Sequence, residues 1–77
     1  MQGREQRRLS NSPVANNLER LIKEKDLKQA NVARAAGMKP RNLSDILNGY
    51  KVVRANEILK LAIAIGVNVE ELFKNIK

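Results

Sequence analysis

The sequence contains no cysteine and no histidine. Those two absences exclude disulfides, zinc fingers, thiol chemistry and imidazole acid–base catalysis together. Aromatic rings are nearly missing too, with Tyr50 and Phe73 the two present, too few for a stacking platform on single-stranded nucleic acid. No apolar run approaches the roughly 20 residues of a membrane span. Residues 1–12 hold no apolar stretch, so neither a signal peptide nor an anchor is expected there. A cytoplasmic location away from membranes is the expectation. Carboxylates are few, and Ser10, Ser12 and Ser44 have no histidine to activate them, so no catalytic centre, metal site or cofactor is expected. At 77 residues the chain is one domain with a modest core.

What the chain does have is localised positive charge. Fifteen Lys and Arg against eight Asp and Glu give a net charge of +7. Residues 1–12 contribute +2, through Arg4, Arg7 and Arg8 against Glu5, and residues 23–54 contribute +5. Residues 13–22 and 55–77 are each neutral. Charge that only keeps a small domain soluble has no reason to gather in one stretch. A concentrated patch fits a polyanionic partner.

The charged stretch is also the most sharply punctuated. From Gln29, residues Val32, Ala33 and Ala36 share a helical face, and Leu43, Ile46 and Leu47 share another. Gly37 lies between them, where the chain must reverse through a left-handed backbone. Pro40 suits the first turn of the second helix and forces Lys39 out of the α region. Gly49 stops that helix. Two short helices with small residues at their contact leave the outer face of the second one free, which is the plan of a helix-turn-helix.

The rest of the chain frames this motif. Residues 1–11 are polar, basic and aperiodic, and read as a flexible N-terminal arm. Such an arm is either an inert terminus or a segment touching DNA backbone or minor groove through Arg4, Arg7 and Arg8. Residues 12–77 are the folded domain. Ser12-Pro13 reads as a cap followed by proline at the first helical position. Val14, Leu18, Leu21 and Ile22 carry the first helix to about Lys25. Asp26 breaks it, tolerating a left-handed or turn backbone, and Leu27 is expected to plug the core. Lys28 takes the cap position of the second helix, although lysine caps poorly. Tyr50 to Val53 form a loop rather than a strand. Ala55 to Ile65 is a fourth helix with Ile58, Leu59, Leu61, Ala62 and Ile65 inward, ended by Gly66. Asn68 and Glu71 form a capping box for a last helix from Val69 to about Asn75, with Val69, Leu72, Phe73 and Ile76 on one side. The expected fold class is all-α, with five helices.

From Leu18 to Phe73 the sequence resembles the phage-repressor and Cro-type, or XRE, helix-turn-helix family. The resemblance is carried by Leu27-x-Gln29, Val32-Ala33, Gly37, Leu43, Ile46, Asn48-Gly49, Leu61-Ala62, Ile65-Gly66-Val67 and Glu71-Leu72-Phe73. It implies a lambda-repressor-like five-helix DNA-binding domain, usually a homodimer on a near-palindromic double-stranded operator. By position it implies that Gln29 bonds a phosphate and steadies the reading helix. It implies that Pro40, Arg41 and Asp45, with Asn42 beside them, face base edges, and that Asn48 and Lys51 lie against phosphates. Several residues depart from the pattern. Lys28 and Lys39 replace small hydroxyl caps, Leu47 stands where many relatives carry an acidic residue, and Val53 replaces a common proline. Pro40 has no hydrogen bond to offer a base. These departures block transfer of any known operator sequence.

The reading helix has its own chemistry. With Leu43, Ile46 and Leu47 inward, Arg41, Ser44, Asp45 and Asn48 point outward. The Arg41 fork matches guanine O6 and N7, and Asn42 matches adenine if its side chain clears the core edge. Asp45 either accepts from a cytosine amine or, the preferred reading, orients Arg41 by i, i+4 pairing. The competing reading of that pair is an ordinary surface ion pair. Lys28, Lys39 and Lys51 are expected phosphate contacts, which position without specifying sequence. Tyr50 is open to two roles, a phosphate donor or a cover for the core edge. Val67, Val69, Leu72, Phe73 and Ile76 are the candidate dimer interface, with burial in the core as the competing reading. The function expected is that of a small transcriptional regulator, a repressor or autoregulator from a bacterium or phage. The alternative is an antitoxin or adaptor whose main partner is another protein.

Overall fold

The computed structural model describes residues 11–74. Four α-helices follow in order: α1 Val14–Glu24, α2 Gln29–Ala35, α3 Pro40–Leu47 and α4 Ala55–Ile65. A 3-10 helix, Val69–Phe73, closes the described chain. The architecture is all-α, and no strand occurs among the described residues. α2 packs on α3 and α4, while the 3-10 helix packs on α1 and α4. Leu18, Leu43, Leu61 and Leu72 meet in the centre, each without solvent contact. At about 1.5–3 kcal/mol for each fully buried side chain of this size, this apolar centre dominates the stability of so small a domain.

The helix boundaries follow local chemistry. Gly37 has φ +77° and Gly49 φ +83°, as the reversal after α2 and the stop after α3 require. Past α2, Gly37 N–H donates to the Arg34 carbonyl at 3.0 Å and Met38 N–H to the Ala33 carbonyl at 2.9 Å. These two bonds make a Schellman ending that satisfies carbonyls the helix leaves open. Lys39 is extended, at φ −72° and ψ 145°, and α3 begins at Pro40. Asp26 takes φ +55°, as expected of a helix-breaking aspartate.

Several details differ from the sequence expectations. α1 begins at Val14, with Pro13 at the cap rather than inside the helix. The Ser12 hydroxyl does not cap a backbone N–H; it accepts from Asn16 Nδ2 at 3.0 Å, and the Asn11 carbonyl takes the Ala15 N–H at 2.9 Å. Leu27 is 36% exposed and does not plug the core. Its N–H bonds the Ile22 carbonyl at 2.9 Å in a second Schellman ending, which leaves the side chain at the surface. Leu59 is exposed, since the buried stripe of α4 is Leu61, Ala62 and Ile65. At α4 only the reach-back half of a capping box forms, Glu57 Oε1 accepting the Arg54 N–H at 2.9 Å, whereas Asn68 makes no side-chain cap bond at the 3-10 helix.

The fifth element is a 3-10 helix rather than an α-helix. With three residues per turn, Val69 and Leu72 fall on one line and Phe73 does not. Leu72 is therefore 0% exposed while Phe73 faces out. A buried amide holds this element in place. Asn17 Nδ2 donates to the carbonyls of Leu72 at 2.8 Å and Lys74 at 2.9 Å, tying α1 to the end of the domain. A fully buried asparagine inside a helix needs such partners.

Candidate nucleic-acid interface

α3 buries Leu43 and Ile46 completely and half-buries Leu47. That anchorage sets the rotation of the helix. Arg41 and Asn48 are exposed at its two ends, and Asn42, Ser44 and Asp45 are half-buried between them. Asn48 Nδ2 donates to Ser44 Oγ at 3.3 Å, so these two share one face. Pro40 is exposed at the start of the helix. The base-reading candidates Arg41, Asn42, Ser44 and Asp45 thus all retain some access to solvent, with Arg41 standing furthest out.

The expected pairing of Asp45 with Arg41 does not form. Side-chain ion pairs among the described residues join Arg20 to Glu24 and Glu71 to Lys74, both at 3.2 Å and both off the motif. The order of the two residues is not the reason, since Arg20 pairs with Glu24 in the same order; an exposed pair of this kind gains little over solvation. Arg41 is left without an acidic partner among the described residues.

The phosphate candidates surround α3. Lys28 and Gln29 lie at the start of α2 and Lys39 immediately ahead of α3, and all three are exposed. Neither Lys28 nor Lys39 is in an ion pair among the described residues, so both ammonium groups stay available. Asn48 and Lys51 lie in the turn after α3, with Lys51 half-buried. That turn is drawn against the helix end. The Asp45 carbonyl accepts from Tyr50 N–H at 2.8 Å and Lys51 N–H at 3.2 Å. With no carboxylate paired to these lysines among the described residues, the face presents uncompensated positive charge, the footprint of a phosphate-binding surface.

Sequence reasoning missed Asn11, which was assigned to the arm. Its side chain bonds the Ile46 and Lys51 carbonyls and the Val53 N–H. An asparagine ahead of Ser-Pro carries no signal of partners so far along the chain. Arg4, Arg7 and Arg8 lie outside the described residues.

The candidate dimer residues divide. Leu72 is completely buried beneath α1 and α4 and is not a surface residue. Val67 and Val69 are half-buried against the core. Phe73 is exposed, and Ile76 lies outside the described residues. The apolar exposure missed by periodicity is on α4, where Leu59 and Ile63 stand one turn apart and Ile63 is 78% exposed. Hydrophobicity on both faces of α4 conceals this stripe in a sequence pattern. Among the described residues no helix is long and apolar enough to cross a membrane.

Comparison with known proteins agrees with this geometry. Residues 17–77 match the family described as the Cro/C1-type HTH DNA-binding domain. Among solved structures, the chain is similar to the restriction-modification controller protein C.AhdI from Aeromonas hydrophila. The identity is 30% and the TM-score 0.74, over 78% of this chain and 91% of that one. It is also similar in fold to the hypothetical transcription factor NHTF from Neisseria, at 24% identity and a TM-score of 0.73, over 79% of this chain and 70% of that one. Among curated proteins none matches.

Proposed function

The chain belongs to the Cro/C1-type helix-turn-helix family of DNA-binding domains, and from that premise we propose that it is a sequence-specific transcriptional regulator. It acts as a repressor or autoregulator, pairing two-fold on a near-palindromic operator with α3 in the major groove. The single observation that carries the reading is the solvent-facing side of α3, where Arg41 stands free of acidic partners among the described residues. A helix with polar side chains on its outer face fits the major groove, and its N-terminal residues reach the base edges. Arg41, Asn42, Ser44 and Asp45 read bases, with Asp45 accepting from a cytosine amine. Lys28, Gln29, Lys39, Asn48 and Lys51 hold phosphates. That C.AhdI is a controller of a restriction-modification system supports a regulatory role.

The dimer is formed by α4 and the 3-10 helix, through Leu59, Ile63 and Phe73, with Val67 and Val69 at the edge. These exposed apolar side chains lie on elements other than α3, so pairing through them leaves the reading helix free. The test of the function is selection of duplexes from a random pool by the purified protein, followed by sequencing. Enrichment of a motif with two-fold symmetry is expected. Recovery of unenriched DNA, or no DNA at all with a protein partner retained at high salt, would overturn it.

A further inference from the structure

We infer that Asn11 is a positioning residue for DNA-backbone contact, holding the turn after α3, and with it Lys51, in register with the reading helix. Asn11 Nδ2 donates to the Ile46 carbonyl at 2.9 Å and to the Lys51 carbonyl at 2.8 Å. Its Oδ1 accepts the Val53 N–H at 3.3 Å. These partners are 35, 40 and 42 residues away along the chain, so the contact is tertiary. Ile46 is in the last turn of α3, where carbonyls have no partner within the helix. Gly49 N–H, at 3.2 Å, shares that carbonyl. Asn11 thus adds, from a distant segment, a second donor to the end of α3 that Gly49 and Tyr50 already cap locally.

The arrangement is specific to an amide. Both donor hydrogens and the acceptor oxygen are used, and turning the group over would set its oxygen against two carbonyls. Neither a carboxylate nor an apolar side chain reproduces this pattern. The residue gripped is itself informative, because Lys51 is the proposed phosphate contact after α3. Holding its main chain at one end and α3 at the other makes one rigid unit of the base-reading helix and the backbone-holding turn. Phosphate contacts fix the orientation in which a helix meets the bases. The structural part of this inference stands on these bonds, and its consequence for DNA rests on the regulator reading above.

Two measurements test it separately. In the free protein, amide hydrogen exchange followed by NMR compares wild type with Asn11→Ala and Asn11→Asp. Faster exchange confined to Gly49, Tyr50, Lys51 and Val53, with the core amides of α4 unchanged, is expected. Asn11→Asp should retain protection at Val53, because its carboxylate still accepts there. Uniformly faster exchange in both variants, or no change at the turn, would overturn the positioning role. The second measurement uses a duplex selected by the wild-type protein, at a temperature where every variant is folded. Asn11→Ala should reduce the salt dependence of binding by about one counterion per chain, as Lys51→Ala does. In the Lys51→Ala background it should change affinity less than about twofold, because coupled residues are not additive. Full additivity of the two substitutions would overturn the link to Lys51. Failure of the wild-type protein to select any duplex would remove the DNA consequence, leaving the exchange experiment to decide the structural role.

Discussion

Arg41 and Lys51 carry the same charge into different roles, and the difference is measurable. Arg41 is exposed in the first turn of α3 and has no acidic partner among the described residues. Arg41→Ala should cost roughly 1–3 kcal/mol on the selected duplex and relax preference at one base pair per half-site. Lys51→Ala should weaken binding to all sequences alike. Equal loss on specific and random DNA for Arg41→Ala would make it a phosphate contact. Asn17 makes a prediction about stability instead. Its amide supplies the Leu72 and Lys74 carbonyls from inside the domain. Asn17→Ala should cost about 1–3 kcal/mol, lowering the Tm by at least about 4 °C in a domain of this size. An unchanged Tm would mean that the 3-10 helix docks without it. The exposed charges of the reading helix were legible in sequence, because charged residues on the far side of an apolar stripe must face solvent. Asn11 and Asn17 were not legible. Their distant partners are main-chain groups, and no local pattern marks an asparagine as tied to them.

The α2 turn gives a prediction at the scale of an element. A side chain added at Gly37 meets no atom within 4 Å, yet the backbone there has φ +77°. The requirement is therefore conformational, not one of space. Gly37→Asn should be mild, since asparagine visits the left-handed region. Gly37→Val should cost on the order of 1–3 kcal/mol, as a β-branched residue is strained there. Thermal melting of the two variants checks this, and equal midpoints would contradict it. Helix ends of this kind were readable because glycine, proline and aspartate impose their own backbone angles. The 3-10 form of Val69–Phe73 was not readable. A polar cap followed by two glutamates suits either helix type, and a five-residue element lodged between α1 and α4 is shaped by its packing. The same competition misled the reading of Leu59, because α4 carries apolar residues on both its buried and its exposed faces.

At the scale of the whole molecule, one reading helix covers too few base pairs to find a site in a genome, and two-fold pairing doubles the surface that reads. It also sets the two helices about 34 Å apart on one face of the duplex. In the proposed dimer the apolar exposure for pairing is Leu59 and Ile63 on α4 and Phe73 on the 3-10 helix; the sequence candidates were Val67, Val69, Leu72, Phe73 and Ile76, of which Leu72 is buried. Native mass spectrometry should find two chains on a full operator and fewer for Ile63→Asp, whose exposed position leaves the fold intact. Two chains bound equally well by Ile63→Asp would move the interface elsewhere. The central claim is that this domain recognises DNA by sequence, with charge supplying the approach and α3 the choice. Fluorescence anisotropy of the wild-type chain on its selected duplex and on a scrambled duplex of equal length, titrated across salt, tests that claim most directly. The account predicts that affinity falls steeply with salt on both duplexes while the selected one is held about a thousandfold or more tighter at physiological salt. Equal affinity for the two duplexes at every salt concentration would contradict it.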